Sequence, residues 1–130
     1  MGAFDTLRIA GSALGAHQTW LDTLASNIAN VNTVTSTDQD AFQAQMLIVR
    51  ASDGGGVEVA GLALSDPAGR LVHDPENPMA DAEGYVRAPD MDLSSQMTQL
   101  VMAQRGFQAA VQVTKDAQDT YSAALQIGRA

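Results

Sequence analysis

Both ends of the chain carry apolar residues at alternating steps of three and four, and this spacing constrains the fold more than any other feature. Such spacing places side chains on one stripe of an α-helix, as in the seam of a coiled coil. The first stripe consists of Leu7, Ala10, Leu14, His17, Leu21, Leu24, Ile28 and Val31. The second consists of Leu93, Met97, Leu100, Gln104, Phe107, Val111, Thr114, Gln118, Tyr121 and Leu125. The stripes predict helices over 4–31 and 92–127, the second capped by Asp92.

The segment between the two stripes differs from them in composition. It holds all four prolines and the turn sequence DGGG at 53–56, and both features favour turns and end helices. Alternating apolar residues predict strands over 42–48 and 57–64, and shorter strands are expected at 71–72 and 85–86. The middle of the chain is therefore expected to be rich in β-strands and loops.

These patterns together predict a mainly α fold. The long N- and C-terminal helices are expected to pair antiparallel as a coiled-coil hairpin, with the small β-rich region inserted between them. In sequence terms the N-terminal helix occupies 1–33, the middle region 34–90 and the C-terminal helix 91–130. We expect the two helices to form one helical domain.

Charge is distributed unevenly along the chain. The net charge is −8, and residues 34–92 hold eleven of the acidic and three of the basic side chains, so the flanking helices are neutral. Nucleic acids and anionic membranes require a basic surface, so neither is an expected partner. Polar residues interrupt every window long enough to span a bilayer, and the N-terminus resembles no cleaved signal peptide.

The sequence lacks the residue patterns that enzymes and metal proteins require. It has no cysteine and two histidines. His17 lies on the first stripe, where a polar residue sets the register of a coiled coil, and His73 precedes Asp74 without any nucleophile motif. The calcium-loop-like Asp38 and Asp40 are followed by Ala41, where that loop requires another oxygen ligand. We expect no catalytic residue, cofactor or metal.

Two groups of residues in the first helix call for a specific explanation. Gly11 and Gly15 weaken a helix, so we expect them to allow a close approach to a neighbouring helix rather than to be merely tolerated. Asn27, Asn30 and Asn32 are expected to end the helix, since Asn tolerates the left-handed conformation and bonds nearby backbone. The same amides are also candidates for links to neighbouring subunits, and the two roles are compatible.

The chain resembles the bacterial flagellar rod and hook proteins. The N-terminal signature includes ASNIANVNT at 25–33, and the middle motif NPMADAEGYV at 77–86 is similar to that of the short proximal rod subunits. Further matching segments are 10–14, 20–21, 89–92, 105–109 and 125–128. Gln96 departs from the pattern, because the family tends to carry glutamate there.

The resemblance implies a structural subunit of the proximal rod of the flagellar basal body. Such a subunit assembles helically, transmits motor torque across the periplasm and is exported by the flagellar type III apparatus without a cleaved signal. The implied partners are the other proximal and distal rod proteins, the basal-body adaptor subunit, copies of the chain itself and the rings around the rod. The alternative is a coiled-coil adaptor or export chaperone of the flagellar system.

The expected assembly interface combines apolar stripe positions with asparagines at the end of the first helix. Long helices with more than one apolar face need more than one packing partner, and the second helix also carries apolar residues outside its stripe. The interface residues are predicted to be Leu7, Leu14, Leu21, Leu24, Asn27, Ile28, Asn30, Met97, Leu100, Phe107, Val111, Tyr121 and Leu125.

Overall fold

Along the chain, one long helix precedes four short strands and a second long helix follows them. The computed structural model describes residues 2–129. The elements are α1 (Ala3–Ala29), β1 (Gln45–Ala51), β2 (Val57–Leu64), β3 (Arg70–His73), β4 (Tyr85–Ala88) and α2 (Leu93–Gly128). This confirms the predicted fold class, and both helices end within two residues of the predicted positions. As predicted, Asp92 caps α2, since its Oδ2 accepts a bond from the N–H of Ser95 at 3.0 Å.

The chain divides into two compact units. One unit, here called the helical unit, comprises residues 2–22, 47–61 and 101–129 of the described chain. The other, here called the mixed unit, comprises residues 23–46 and 62–100. Each unit therefore combines segments from the N-terminal and the C-terminal parts of the sequence.

In the helical unit, α1 and α2 pack antiparallel. The ring centroids of Phe4 and Tyr121 are 6.3 Å apart, and the ring of His17 lies against Gly106. The buried residues of α2 are Ala103, Ala110 and Ala117, which follow one another at the heptad interval of a coiled-coil seam. We call these three the alanine seam. Small side chains at such positions allow two helix backbones to approach closely.

The two predicted stripes differ in how many of their residues are buried within the chain. Every position of the first stripe is buried or half-buried, as predicted. Four positions of the second stripe are half-buried within the chain, namely Leu100, Phe107, Thr114 and Tyr121. The other six are exposed: Leu93, Met97, Gln104, Val111, Gln118 and Leu125. The face of α2 that packs within the chain is therefore rotated from the predicted seam toward the alanines.

His17 and Gly106 form the tightest described contact between α1 and α2. His17 Nδ1 donates to the carbonyl oxygen of Ala13 at 2.8 Å, which fixes the orientation of the ring. A Cβ atom on Gly106 would lie 2.4 Å from His17 Nε2, closer than atoms can approach. Glycine at 106 is therefore required for this contact. Gly11 and Gly15 instead face open space, so the predicted close approach at those two positions does not occur within the described chain.

The turn between β1 and β2 docks on the first turns of α1. Gly54, Gly55 and Gly56 all have positive φ angles, which only glycine adopts readily. Arg8 donates through Nη2 to the carbonyl oxygen of Gly54 at 2.9 Å. Ser12 Oγ accepts a bond from the N–H of Val57 at 3.1 Å. The three glycines thus form a turn that packs against α1.

The mixed unit is built around a second antiparallel strand pair. β3 pairs with β4, with Leu71 opposite Arg87 and Val72 opposite Val86, which confirms the predicted short strands. Thr35 and Arg87 form a further antiparallel bridge. The side chains of Leu24, Val86 and Pro89 are among the largest fully buried ones in the chain. The core of this unit therefore joins the end of α1 to β4 and the segment before α2.

β1 begins three residues later than the predicted strand and extends further. The alternating apolar residues Met46 and Ile48 are exposed, whereas Gln45 and Leu47 are half-buried. Exposed and half-buried side chains therefore alternate over 45–48, but it is Leu47, and not Met46 or Ile48, that lies on the half-buried side.

The contrast between the glycines gives a first prediction. We expect Gly106→Ala to lower the thermal unfolding midpoint, because the added methyl group collides with His17. Gly11→Ala, a matched change at an exposed position, should raise the midpoint, since alanine is favoured over glycine within a helix by up to about 1 kcal/mol. Thermal unfolding followed by circular dichroism measures both. An increase for Gly106→Ala would contradict the close helix approach at this position.

Candidate assembly surface

A buried asparagine joins three segments of the mixed unit. Asn27 is fully buried, and its Nδ2 donates to the carbonyl oxygen of Gln45 at 2.8 Å and to Gln96 Oε1 at 3.0 Å. Its Oδ1 accepts a bond from the N–H of Gln45 at 2.9 Å. The carboxamide therefore pairs with the backbone of Gln45 as a neighbouring strand would. It holds the end of α1, the start of β1 and the first turn of α2 together.

Gln96 is the residue of α2 to which Asn27 bonds. Asn27 requires an oxygen acceptor at this position, and the glutamine side chain supplies one through Oε1. A glutamate side chain offers an oxygen as well. The exchange of one for the other therefore keeps the acceptor while it changes the charge.

The other asparagines at the end of α1 have simpler roles. Asn30 Nδ2 donates to the carbonyl oxygen of Ser26 at 2.9 Å, which caps one of the last carbonyls of the helix. Asn32 is exposed. No residue other than glycine has a positive φ angle among residues 2–129, so the expectation of a left-handed asparagine is wrong. The chain leaves the helix through tight turns instead, with the N–H of Asn30 bonded to the carbonyl of Asn27 at 3.1 Å.

Arg87 and Asp81 brace the loops of the mixed unit. The Arg87 guanidinium donates to the carbonyl oxygens of Thr37 at 3.0 Å and Ala68 at 2.8 Å. Asp81 accepts bonds from the N–H groups of Tyr85 at 2.9 Å and Glu83 at 3.0 Å, and from the Thr37 hydroxyl at 3.1 Å. The motif at 77–86 is thus a self-bonded loop, in which Asp81 organises the backbone.

These bonds affect the ionisation of Asp81. The pKa of its carboxyl group is lowered, chiefly because the Tyr85 N–H stabilises the ionised form, with further support from the Thr37 hydroxyl. The carboxylate therefore contributes stability at neutral pH that it loses on protonation.

The structure sorts the predicted interface residues by their burial. Leu24 and Asn27 are buried within the mixed unit. Eight are half-buried: Leu7, Leu14, Leu21, Ile28, Asn30, Leu100, Phe107 and Tyr121. Three large apolar side chains of α2 are exposed, with Met97 at 47%, Val111 at 39% and Leu125 at 52%. These three are the predicted residues most available to another chain.

Further exposed apolar side chains were not among the predicted interface residues. On α2 they are Leu93, Val101, Met102, Val113 and Ile127, and on β2 they are Val59, Leu62 and Leu64. The width of the apolar surface of α2 indicated such residues in general, but their individual exposure depends on which face meets α1. Single apolar residues on a surface are ordinary, whereas a concentration of them marks an interaction site.

Both histidines of the described chain make structural contacts. His17 is engaged between α1 and α2, and His73 stacks edge-on against Tyr85, with ring centroids 4.9 Å apart. Within residues 2–129, no group of three or more His, Cys, Asp or Glu side chains is arranged to hold a metal ion. No helix in that part of the chain has the length and hydropathy needed to cross a membrane.

Both ends of the chain match models of flagellar rod proteins. Residues 7–35 match the family described as "Flagella basal body rod protein". Residues 82–127 match the family described as "Flagellar basal body rod FlgEFG protein C-terminal". The two matched segments contain most of α1 and nearly all of α2, so the helices that carry the packing surfaces define the class of protein.

Curated relatives match over the full length. Flagellar basal-body rod protein FlgC of Yersinia enterocolitica is 39% identical, and that of Escherichia coli O6:H1 is 37% identical, each over 99% of this chain and 100% of the relative. FlgC of Bacillus subtilis is 29% identical with the same coverage. The chain belongs to the FlgC family of flagellar basal-body rod proteins. It is a structural subunit of that rod, and the matches do not favour the adaptor or chaperone alternative.

The bonds of Asn27 give a second prediction. Asn27→Ala should lower the free energy of unfolding by about 1–3 kcal/mol, because the backbone of Gln45 loses its partner inside the mixed unit. Asn32→Ala, in the same asparagine run but exposed, should change it by less than about 0.5 kcal/mol. Chemical denaturation of both variants measures the difference. Equal effects at the two positions would contradict a joining role for Asn27.

The pKa of Asp81 gives a third prediction. Asp81→Asn should lower the unfolding midpoint at neutral pH, since it removes an ionised acceptor of backbone N–H groups. The difference from the unchanged protein should shrink as the pH falls below about 4, where the carboxyl group of the unfolded chain takes up a proton, and it should vanish once the native carboxylate, whose pKa is lower, is protonated as well. Melting curves from pH 7 to pH 3 measure this. A difference that widens toward acid would contradict the assignment.

Proposed function

We propose that this chain occupies the proximal part of the rod, where it transmits motor torque across the periplasm by packing against its neighbours in a helical assembly. The proposal includes export through the flagellar type III apparatus without removal of a signal peptide. It includes no catalytic activity, and the contacts of both histidines support this: His17 bonds the carbonyl oxygen of Ala13, and His73 packs against Tyr85.

One observation carries the packing role. Within the helical unit, Gly106 of α2 lies against His17 of α1 and the alanine seam is buried, whereas the large apolar side chains Val101, Val111 and Leu125 of α2 remain exposed. A helix that meets a single partner normally buries its largest apolar residues against that partner. The exposed residues therefore support the presence of additional helical neighbours, as a rod subunit requires.

The proposed partners are the other proximal and distal rod proteins, the adaptor subunit of the basal body and copies of this chain. The surrounding rings are the proposed neighbours of the acidic mixed unit, which holds nine acidic and two basic side chains. The helical unit is nearly neutral, with six acidic and five basic side chains. Interface cores are depleted of charge, so the charge distribution supports packing through the helical unit.

A charge placed on the exposed face of α2 tests this role. Val111→Asp should reduce incorporation of the chain into purified basal bodies and reduce swimming in a strain that lacks its own copy, because an unpaired carboxylate is costly to bury. Gln108→Asp adds the same charge at an exposed polar position of the same helix and should retain most of both. The readouts are immunoblots of isolated basal bodies and swarm diameter. Full incorporation of Val111→Asp would contradict the proposed packing face.

A further inference from the structure

One aspartate of the sequence is followed directly by glycine, and this pair lies in the turn between β1 and β2. Asp53 and Gly54 are both exposed, and a Cβ atom at 54 would meet no atom within 4 Å beyond its chain neighbours. Among residues 2–129, the Asp53 carboxylate has no hydrogen bond or ion pair, and the N–H of Gly54 donates to no acceptor. The side chain and the amide that follows it are therefore both unhindered and unbonded.

An aspartate in these surroundings reacts with its own main chain. The amide nitrogen of Gly54 attacks Cγ of the Asp53 carboxyl group, an N–Cγ bond forms, and the amide proton leaves with the carboxyl hydroxyl as water. The product is a five-membered succinimide. Water then reopens the ring: cleavage of the N–Cγ bond restores aspartate, whereas cleavage of the bond from nitrogen to the main-chain carbonyl carbon gives isoaspartate. Glycine favours ring closure, because it has no Cβ atom to crowd the nitrogen.

Asp40 and Ala41 provide a comparison within the same chain. Asp40 is exposed as well, and its carboxylate also has no partner among the described residues. The N–H of Ala41, however, donates to the carbonyl oxygen of Pro67 at 2.8 Å, and Ala41 is buried. A buried, hydrogen-bonded amide turns toward the carboxyl group only after local unfolding. The two exposed aspartates thus differ in the amide that follows each of them.

The contacts of the turn with α1 oppose ring closure at Asp53. Arg8 donates to the carbonyl oxygen of Gly54 through Nη2 at 2.9 Å and to that of Gly55 through Nη1 at 3.4 Å. Within the turn, the N–H of Gly55 donates to the carbonyl oxygen of Ser52 at 3.1 Å. Ring closure requires the peptide group of Gly54 to rotate against the Asp53 side chain. The bonds from Arg8 hold that peptide group, so the reaction needs a local opening of the turn.

We propose that Asp53 is a site of isoaspartate formation, and that docking of the turn on α1 through Arg8 controls its rate. Isoaspartate carries the main chain through its own side chain, so the turn becomes one carbon atom longer. The carbonyl groups of Gly54 and Gly55 then no longer lie together against the Arg8 guanidinium, and the turn detaches from α1. The proposal concerns bonds within one chain and is independent of the rod function.

Ageing of the purified full-length chain tests the site. The protein is kept in warm, neutral buffer for several weeks and digested, and mass spectrometry with electron-transfer fragmentation distinguishes isoaspartate from aspartate at each position. Isoaspartate should accumulate at 53 about fivefold faster than at 40 or more, because only the Ala41 amide is hydrogen-bonded. Asp53→Glu keeps the charge but disfavours a five-membered ring, and should abolish the signal at 53. Equal accumulation at 53 and 40 would overturn the assigned site.

Two variants in the first turns of α1 test the control by docking. Arg8→Ala removes both bonds to the turn and should raise the rate at 53 about threefold or more, with no change at 40. Asp5→Asn removes the ion pair of Arg8 with Asp5 but leaves the bonds to the turn, and should keep the rate at 53 within about twofold. Equal acceleration by both variants, or none by Arg8→Ala, would overturn the role of Arg8.

The unchanged full chain in denaturant supplies a reference in which the turn is not docked. Isoaspartate should form faster at 53 there than in native buffer, because unfolding frees the peptide group of Gly54 from Arg8. This measurement does not depend on how well any variant folds. Equal rates at 53 in native buffer and in denaturant would overturn the control of the reaction by docking.

Discussion

The close contact of α1 with α2 in the helical unit depends on small residues. Gly106 admits the ring of His17, and the alanine seam lies on the same face of α2. Because the methyl groups of alanine fill little volume, this contact requires the two backbones to approach closely. A larger residue at 106 would collide with an imidazole that is already fixed by its bond to Ala13. The register of the two helices is thus set by the positions at which α2 has small residues.

The mixed unit obtains its order in a different way. Its fully buried side chains are few, and a small core provides limited hydrophobic stabilisation. Polar side chains therefore bond the backbone directly: Asn27 pairs with Gln45, Arg87 holds two loop carbonyls, and Asp81 collects N–H groups of its own loop. Such bonds are directional, so they fix loop conformation more closely than apolar contacts do. Through these bonds, the long loops between the short strands adopt defined conformations.

The sequence predicts the elements better than it predicts their contacts. Periodicity, prolines and the capping Asp92 define two helices and the later strands, because these are local properties. Periodicity does not determine which face of an evenly apolar helix meets a partner, and size is a poor guide when the partner needs small residues. The sequence pattern therefore places Met97 and Val111 on the stripe, whereas Ala103 and Ala110 are the residues buried within the chain. The role of Asn27 depends on residues that lie 18 and 69 positions away, which no local pattern contains.

The burial of the small residues of α2 within the chain and the exposure of its large apolar residues have the same cause. A helix has a limited surface around its axis. Because α2 uses its alanines for the partner within the chain, Val101, Val111 and Leu125 stay exposed for contacts with other chains. Within such a subunit, the energy from burying large side chains is released only on assembly, since exposed apolar area gains free energy when another surface covers it. Association then stabilises the helical ends more than folding alone does.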